Sequence, residues 1–169
     1  MFVGFVEAQA SNLVNNGDFS QGATGWTIIS PIHNYGLSAQ GWYDGAYKNN
    51  PDTFSQAINT IAGDKYTLSY TFSTVTNQAG LIFKSIWNGT AIQTITTPNT
   101  TPTTYTFTDL LATSNSTVLS FVSGNDPYFN LLQNISLTQQ PSAVPVPAAI
   151  WMFATGLLGF GAMRKKVQA

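Results

Sequence analysis

Residues Lys65 to Ser73 read KYTLSYTFS, and apolar and polar side chains alternate along this stretch without interruption. Its apolar positions are Tyr66, Leu68, Tyr70 and Phe72. A period of two is that of a β-strand with one face buried and one face exposed. Ala62-Gly63-Asp64, directly before it, has the composition of a turn. The stretch therefore predicts a half-buried strand.

Similar strand patterns recur along residues 11–140, roughly every ten residues, with turn signals between them. The candidates are Thr27–Ser30, Thr53–Ile58, Leu81–Trp87, Ala91–Thr96, Tyr105–Leu110, Thr117–Val122 and Phe129–Leu137. In the last of these, Phe129, Leu131, Ile135 and Leu137 are expected on one face. No amphipathic helix of useful length is predicted before Ala148. The pattern predicts an all-β domain of two packed antiparallel sheets over residues 11–140.

The composition agrees with a folded domain and argues against a nucleic-acid partner. Apolar residues make up 43% of the 169 residues and charged residues only 8%. Cysteine is absent, so no disulfide framework is expected. For the same reason, cysteine usage gives no information about the redox compartment. Without the basic C-terminal cluster and Glu7, three lysines face six aspartates, a net charge of about −3. Such a surface does not attract phosphate backbones.

Both ends of the chain have the character of targeting segments. Residues 1–10 read MFVGFVEAQA, and Ala8-Gln9-Ala10 fits the small-x-small pattern of signal peptide cleavage. We interpret residues 1–10 as the remnant of a signal peptide whose true start lies upstream. Near the other end, an apolar run predicts a transmembrane helix over residues 148–163. The basic residues 164–166 that follow it would remain in the cytoplasm, which places the chain before Val144 across the membrane.

Residues 141–169 also resemble a known signal. VPVPAAIWMFATGLLGFGAMRKK is similar to the PEP-CTERM sorting signal of Gram-negative bacteria in its VPxPAA variant. The resemblance rests on the motif residues Val144, Pro145, Pro147, Ala148, Ala149 and Trp151 and on the basic stop Arg164, Lys165 and Lys166. It implies that an exosortase, a membrane cysteine protease-transpeptidase, recognises and processes the tail. A plain C-terminal anchor without processing is the alternative.

Residues 12–26, at the start of the domain, read NLVNNGDFSQGATGW. This stretch resembles the usual entry to carbohydrate-binding modules with a galactose-binding-like jelly roll. The resemblance implies a jelly-roll-like β-sandwich with Phe19 and Trp26 in its core. It also implies a structural calcium ion between the N-terminal edge and the last strand. Ser20 and Gln133 stand where acidic residues are usual, so Asp18 and Asn134 are the candidate ligands.

The candidate carbohydrate-binding stretch is Asn34 to Asn50, NYGLSAQGWYDGAYKNN. It carries Tyr35, Trp42, Tyr43 and Tyr47 among glycines and polar residues. Flat aromatic faces beside amide and hydroxyl groups suit the apolar faces and hydroxyl groups of sugars. The alternative is that Trp42 and Tyr47 belong to a strand and fill the core. Trp26 and Trp87 are expected in the core.

Catalytic residues are not predicted. His33 is the only histidine and lies in a loop, and most of the six aspartates of the domain are interpreted as turn residues. We expect a non-enzymatic protein, with no cofactor besides calcium, that is exported to the envelope or extracellular matrix of a Gram-negative bacterium. Its expected partners are an exosortase, the membrane through the C-terminal helix before processing, and exopolysaccharide. The alternatives are a secreted polysaccharide hydrolase and a purely structural matrix protein without a ligand.

Overall fold

The computed structural model describes residues 11–31, 34–38 and 40–141, which form two five-stranded antiparallel sheets. The strands are β1 (Thr27–Ile29), β2 (Tyr35–Ser38), β3 (Gly41–Asp44), β4 (Asp52–Asn59), β5 (Lys65–Thr74), β6 (Ile82–Trp87), β7 (Thr90–Ile95), β8 (Thr103–Leu111), β9 (Ser116–Gly124) and β10 (Asn130–Gln139). Sheet A has the order β1-β4-β9-β6-β7, and sheet B has the order β2-β3-β10-β5-β8. The predicted all-β sandwich is confirmed.

The core lies between the inner faces of the two sheets and is rich in aromatic rings. The alternating stretch that predicted a strand is β5, and all four of its apolar side chains are buried. Tyr70 packs edge-on against Phe121 of sheet A, with 5.4 Å between the ring centroids. Its hydroxyl group donates a hydrogen bond to Ser85 Oγ at 3.0 Å, so its one polar atom is satisfied inside the core.

Residues 11–26, the N-terminal arm, cover one end of this core. Phe19 and Trp26 are buried, as predicted, and the Trp26 ring stacks on Phe54 at 4.7 Å. Trp87, also predicted in the core, is buried too. The arm therefore completes the core with its aromatic rings.

Hydrogen bonds to its backbone hold the N-terminal arm in place. Gln56, on β4, accepts a hydrogen bond from Asn15 N–H and donates to the carbonyl groups of Asn15 and Gly25, at 2.8–3.0 Å. Gly17 lies against β10, where its carbonyl accepts from Ile135 N–H at 2.9 Å. A Cβ at Gly17 would stand 2.0 Å from the Ile135 carbonyl oxygen, so only glycine fits there.

The candidate carbohydrate-binding stretch contains the β2–β3 hairpin, which adds two strands to sheet B. The predicted face assignment of the last strand was wrong. In β10 the register shifts between Gln133 and Ser136, and Asn134 has a positive φ of 51°. This bulge changes the side-chain alternation, so Leu132 joins Ile135 in the core while Leu131 lies on the opposite face.

The targeting segments lie outside the described residues. This applies to residues 1–10, to the predicted helix over 148–163 and to the basic residues 164–166. No helix in the part of the chain that the structure describes is long and apolar enough to cross a membrane.

Candidate functional site

A shallow depression of about 440 Å³ lies beside the β2–β3 hairpin, and we call it the aromatic depression. It is lined by Asn34, Tyr35, Gly36, Tyr43 and Phe129. Gly36 is the cross-strand partner of Tyr43, so no side chain stands beside the Tyr43 ring on that strand. The Tyr43 hydroxyl donates to Gln40 Oε1 at 3.0 Å, which holds the ring in a fixed position.

Glycine at position 45 allows the other wall of the aromatic depression to form. A Cβ there would stand 2.6 Å from Asn34 Nδ2 and 2.8 Å from Phe129 Cε1. Asn34 donates from Nδ2 to the Gly45 carbonyl at 2.7 Å, and Gly45 N–H donates back to the Asn34 carbonyl at 2.9 Å. The close approach of this backbone brings an amide and an aromatic ring to the same rim.

The outer face of sheet B continues from the aromatic depression as a polar surface. Tyr43 is in register with Leu131 on β10, and Gln133 is in register with Thr71 on β5. The hydroxyl groups of Thr71 and Thr104 lie 3.1 Å apart. An aromatic wall that leads onto rows of hydroxyl and amide groups offers both stacking and hydrogen bonding.

The predicted binding residues have three different environments. Tyr35 and Tyr43 line the aromatic depression. Trp42 does not: it is 1% exposed, and its indole stacks on Phe54 with centroids 4.8 Å apart. Because side chains alternate along β3, Trp42 faces the core while Tyr43 faces outward. Tyr47 is 48% exposed and lies beyond the hairpin, paired through its backbone with Asn50.

Phe129 was missed as a site residue because its place in the last alternating stretch predicted a core position. The strand begins one residue later, at Asn130, and Phe129 is only half-buried. The available signal was the turn Gly124-Asn125-Asp126-Pro127 just before it, since residues that follow such turns are often at the rim of a sheet.

Asp18 and Asn134 line a common groove of about 490 Å³ between the N-terminal arm and β10. Asp18 is the only carboxylate there, and its Oδ1 accepts from Ser20 N–H and Oγ–H, which lowers its pKa. The side-chain oxygens of Asn12 and Asn16 already accept backbone N–H bonds. Ca²⁺ takes six to eight oxygens with several carboxylates. The residues of this groove therefore do not fit a calcium ion.

Catalytic geometry is not apparent in the described part of the chain. No group of three or more His, Cys, Asp or Glu side chains lies together among these residues. His33 lies outside them. Asp44 and Asp52, which the sequence suggested as turn residues, are instead strand residues at 1% and 0% exposure. A polysaccharide could not reach that pair.

Comparisons with known proteins address the C-terminal tail and the β-sandwich separately. Residues 143–166 match the model of the PEP-CTERM protein-sorting motif, which covers the predicted motif and the basic stop. Such a signal implies an exported protein. No curated protein shows significant sequence similarity to this chain.

Solved structures with the same fold include carbohydrate-binding modules. TmCBM61, solved in complex with β-1,4-galactotriose, has a TM-score of 0.61 at 12% identity and covers 78% of this chain and 100% of its own. The CBM22-1 xylan-binding domain of Paenibacillus barcinonensis Xyn10C has a TM-score of 0.59 at 14% identity and covers 81% and 100%. A CBM4 module has a TM-score of 0.56 at 20% identity and covers 75% and 99%. At these identities the likeness establishes the jelly-roll fold.

Proposed function

We propose that this chain, an exported protein with a PEP-CTERM motif and a jelly-roll sandwich, is a non-enzymatic carbohydrate-binding protein of the cell surface or extracellular matrix. The observation that carries the proposal is the aromatic depression, where Tyr35, Tyr43 and Phe129 meet beside a polar sheet face. An exopolysaccharide of the producing Gram-negative cell is the ligand class that this location favours.

The chemistry of the aromatic depression matches that of a sugar chain. Aromatic rings contact the apolar faces of pyranose rings, while amide and hydroxyl groups bond their hydroxyls. The depression is open and shallow, which suits a chain that passes across the surface better than a small ligand held in a cavity. The similar folds include modules solved with β-1,4-galactotriose and a module described as xylan-binding, which supports β-linked glycans as the first class to test.

The tail supplies the delivery step in this proposal. An exosortase in the membrane would recognise the Val144–Trp151 motif while the apolar run holds the chain in the bilayer. The three cations after the run keep that end on the cytoplasmic side. Cleavage would then release the sandwich from the membrane.

Glycan binding is tested by affinity gel electrophoresis of the full chain in gels that contain β-1,4-galactan or xylan. We expect retardation by at least one polysaccharide and a loss of about tenfold in affinity, roughly 1.4 kcal/mol, for Tyr43→Ala. Tyr47→Ala is the matched control, because it removes an exposed tyrosine outside the depression. Retardation that survives Tyr43→Ala would overturn the assignment. Free migration in every gel would favour a structural matrix protein, and turnover of the polysaccharide would favour a hydrolase.

Sorting is tested by the intact mass of the protein recovered outside the cells. The expected mass lacks the apolar run and the basic stop. A recovered protein that retains Arg164, Lys165 and Lys166 would favour a plain anchor. A chain with these three residues replaced by glutamine is expected to be processed less, because the apolar run loses its cytoplasmic stop.

A further inference from the structure

Five polar residues are buried at one end of the sandwich, and strand pairing and hydrogen bonds connect the segments that carry them. We call them the oxygen cluster: Asp44, Asp52, Ser123, Asn125 and Asn130. All are buried, and none lines the aromatic depression or the N-terminal groove. The cluster is therefore a separate feature of the fold.

Strand pairing brings the cluster together. Asp44 on β3 is the cross-strand partner of Asn130 on β10 in sheet B. Asp52 on β4 is the cross-strand partner of Ser123 on β9 in sheet A. The two pairs meet across the core, because Asn130 Nδ2 donates to Ser123 Oγ at 2.9 Å.

Asn125 joins the cluster through the chain that follows β9. Its N–H donates to the Ala46 carbonyl at 2.7 Å, two residues beyond Asp44. Its side chain is 1% exposed, and neither its oxygen nor its nitrogen has a hydrogen-bond partner among the described residues. A fully buried amide without partners is rare in folded proteins, since it loses its bonds to water without replacing them.

Several oxygen atoms of the cluster have no hydrogen-bond partner among the described residues. Five buried oxygens make no hydrogen bond of ordinary geometry there: Asp44 Oδ1 and Oδ2, Asp52 Oδ1, Asn125 Oδ1 and Asn130 Oδ1. Asp52 Oδ2 accepts a hydrogen bond from Ser30 Oγ at 2.5 Å. Each of these four residues is at most 2% exposed.

Among the described residues, neither Asp44 nor Asp52 has a cationic partner. The ion pair in the described part of the chain joins Lys65 to Asp109 at the surface, away from the cluster. Two buried like charges without a counterion are strongly unfavourable, so the fold calls for positive charge at this position.

We propose that the oxygen cluster binds a structural Ca²⁺ ion that links the two sheets. The donors would be Asp44 and Asp52, which balance the 2+ charge, and the side-chain oxygens of Asn125 and Asn130. Ca²⁺ accepts six to eight oxygens in flexible geometry, including bidentate carboxylates. Mg²⁺ demands a near-ideal octahedron and retains several waters, which this closed interior does not favour. The ion would satisfy atoms that no described side chain or backbone group satisfies.

The test uses the full chain in detergent, stripped of metal with a chelator. Calorimetric titration with CaCl₂ is expected to show one ion per chain, and free Ca²⁺ about 100-fold above its Kd is expected to raise Tm by about 8–10 °C. The double variant Asp44→Asn/Asp52→Asn retains the side-chain shapes but removes both charges, and it is expected to lose this response. Asp109→Asn, which removes an exposed carboxylate, is the matched control and is expected to respond as the wild type does.

Asp18→Asn separates this site from the N-terminal groove, because it should leave the calcium response intact. A wild type that does not respond to Ca²⁺ would overturn the proposal. So would a double variant that responds like the wild type, or a response that disappears in Asp18→Asn.

Terbium luminescence provides a second measurement that does not depend on the double variant folding. Trp42 lies two residues before Asp44 on the same inner face of β3, so a Tb³⁺ ion in the cluster would be excited through its indole. We expect emission that Ca²⁺ displaces and that Trp42→Phe largely removes. Emission of wild-type strength in Trp42→Phe would place the ion elsewhere and would contradict the proposal.

Discussion

Trp42→Ala is the substitution that best separates a core residue from a ligand contact. The indole is 1% exposed and stacks on Phe54 at 4.8 Å, with interplanar angle 21°. Removal of a buried aromatic side chain costs about 3–5 kcal/mol, including the loss of a stacked pair. The indole N–H has no hydrogen-bond partner among the described residues, so its removal relieves a penalty of about 1 kcal/mol. The net loss is about 3–4 kcal/mol, and we expect Tm to fall by about 10–15 °C.

The assay is thermal unfolding of the full chain, followed by circular dichroism, together with the affinity gels described above. Trp42→Phe keeps a ring on Phe54 and removes the unpaired N–H, so we expect a smaller loss of about 1–2 kcal/mol. Tyr43→Ala, on the opposite face of the same strand, is expected to weaken glycan binding while Tm stays within about 3 °C of the wild type. The reasoning is refuted if Trp42→Ala melts like the wild type but no longer binds the glycan.

Three further outcomes follow from other contacts. Gln56→Ala should destabilise the fold by about 2–3 kcal/mol in urea titrations, because it removes three hydrogen bonds to the N-terminal arm. Gln78→Ala, which removes an exposed side chain, is the control and should leave the free energy of unfolding almost unchanged. Equal losses of stability in the two variants would contradict the prediction. Gly17→Ala should lower the free energy of unfolding by at least about 2 kcal/mol, because the new Cβ would stand 2.0 Å from the Ile135 carbonyl oxygen. An unchanged midpoint of urea unfolding would contradict this prediction and would show that the N-terminal arm can shift. Burial raises the pKa of the Tyr70 hydroxyl above its ordinary value of 10.0, so the neutral hydroxyl contributes to stability below pH 10, and this contribution declines as the pH rises further. Alkaline unfolding, monitored at the tyrosinate absorption band, should therefore begin above pH 10. Ionisation of Tyr70 below pH 10 would contradict this prediction.

The sequence was most informative where one periodicity runs through a whole strand. Lys65–Ser73 predicts β5 to within one residue, since a buried row of large side chains leaves one possible face assignment. The hairpin of β2 and β3 was missed because Gly36, Gly41 and Gly45, residues typical of loops, lie within or directly beside its short strands. The bulge in β10 was equally invisible, since it depends on a positive φ at Asn134 and not on a distinctive composition.

The candidate site was predicted only in part, again because strand register is not visible in the sequence. An aromatic cluster is visible in the sequence, but the face on which each ring lies depends on strand register. Tyr43 and Trp42 are neighbours in the chain, and they face opposite sides of sheet B. The oxygen cluster could not be foreseen, because Asp44 precedes glycine and Asp52 follows proline, a context typical of turns. Only the pairing of four distant strands shows that they are buried together.

The position of β10 determines how the sandwich responds when it is pulled from its C-terminal end. This strand lies inside sheet B, between β3 and β5, and leads directly to the tail. Tension applied through the tail acts along β10. The backbone hydrogen bonds from β10 to β3 and to β5 are then loaded in shear and share the force, so they do not break one after another. The N-terminal arm adds two further hydrogen bonds: Leu13 N–H donates to the Leu137 carbonyl, and Asn12 Oδ1 accepts from Leu137 N–H. A domain tethered by this end would therefore bear drag and adhesion forces along an interior strand of sheet B.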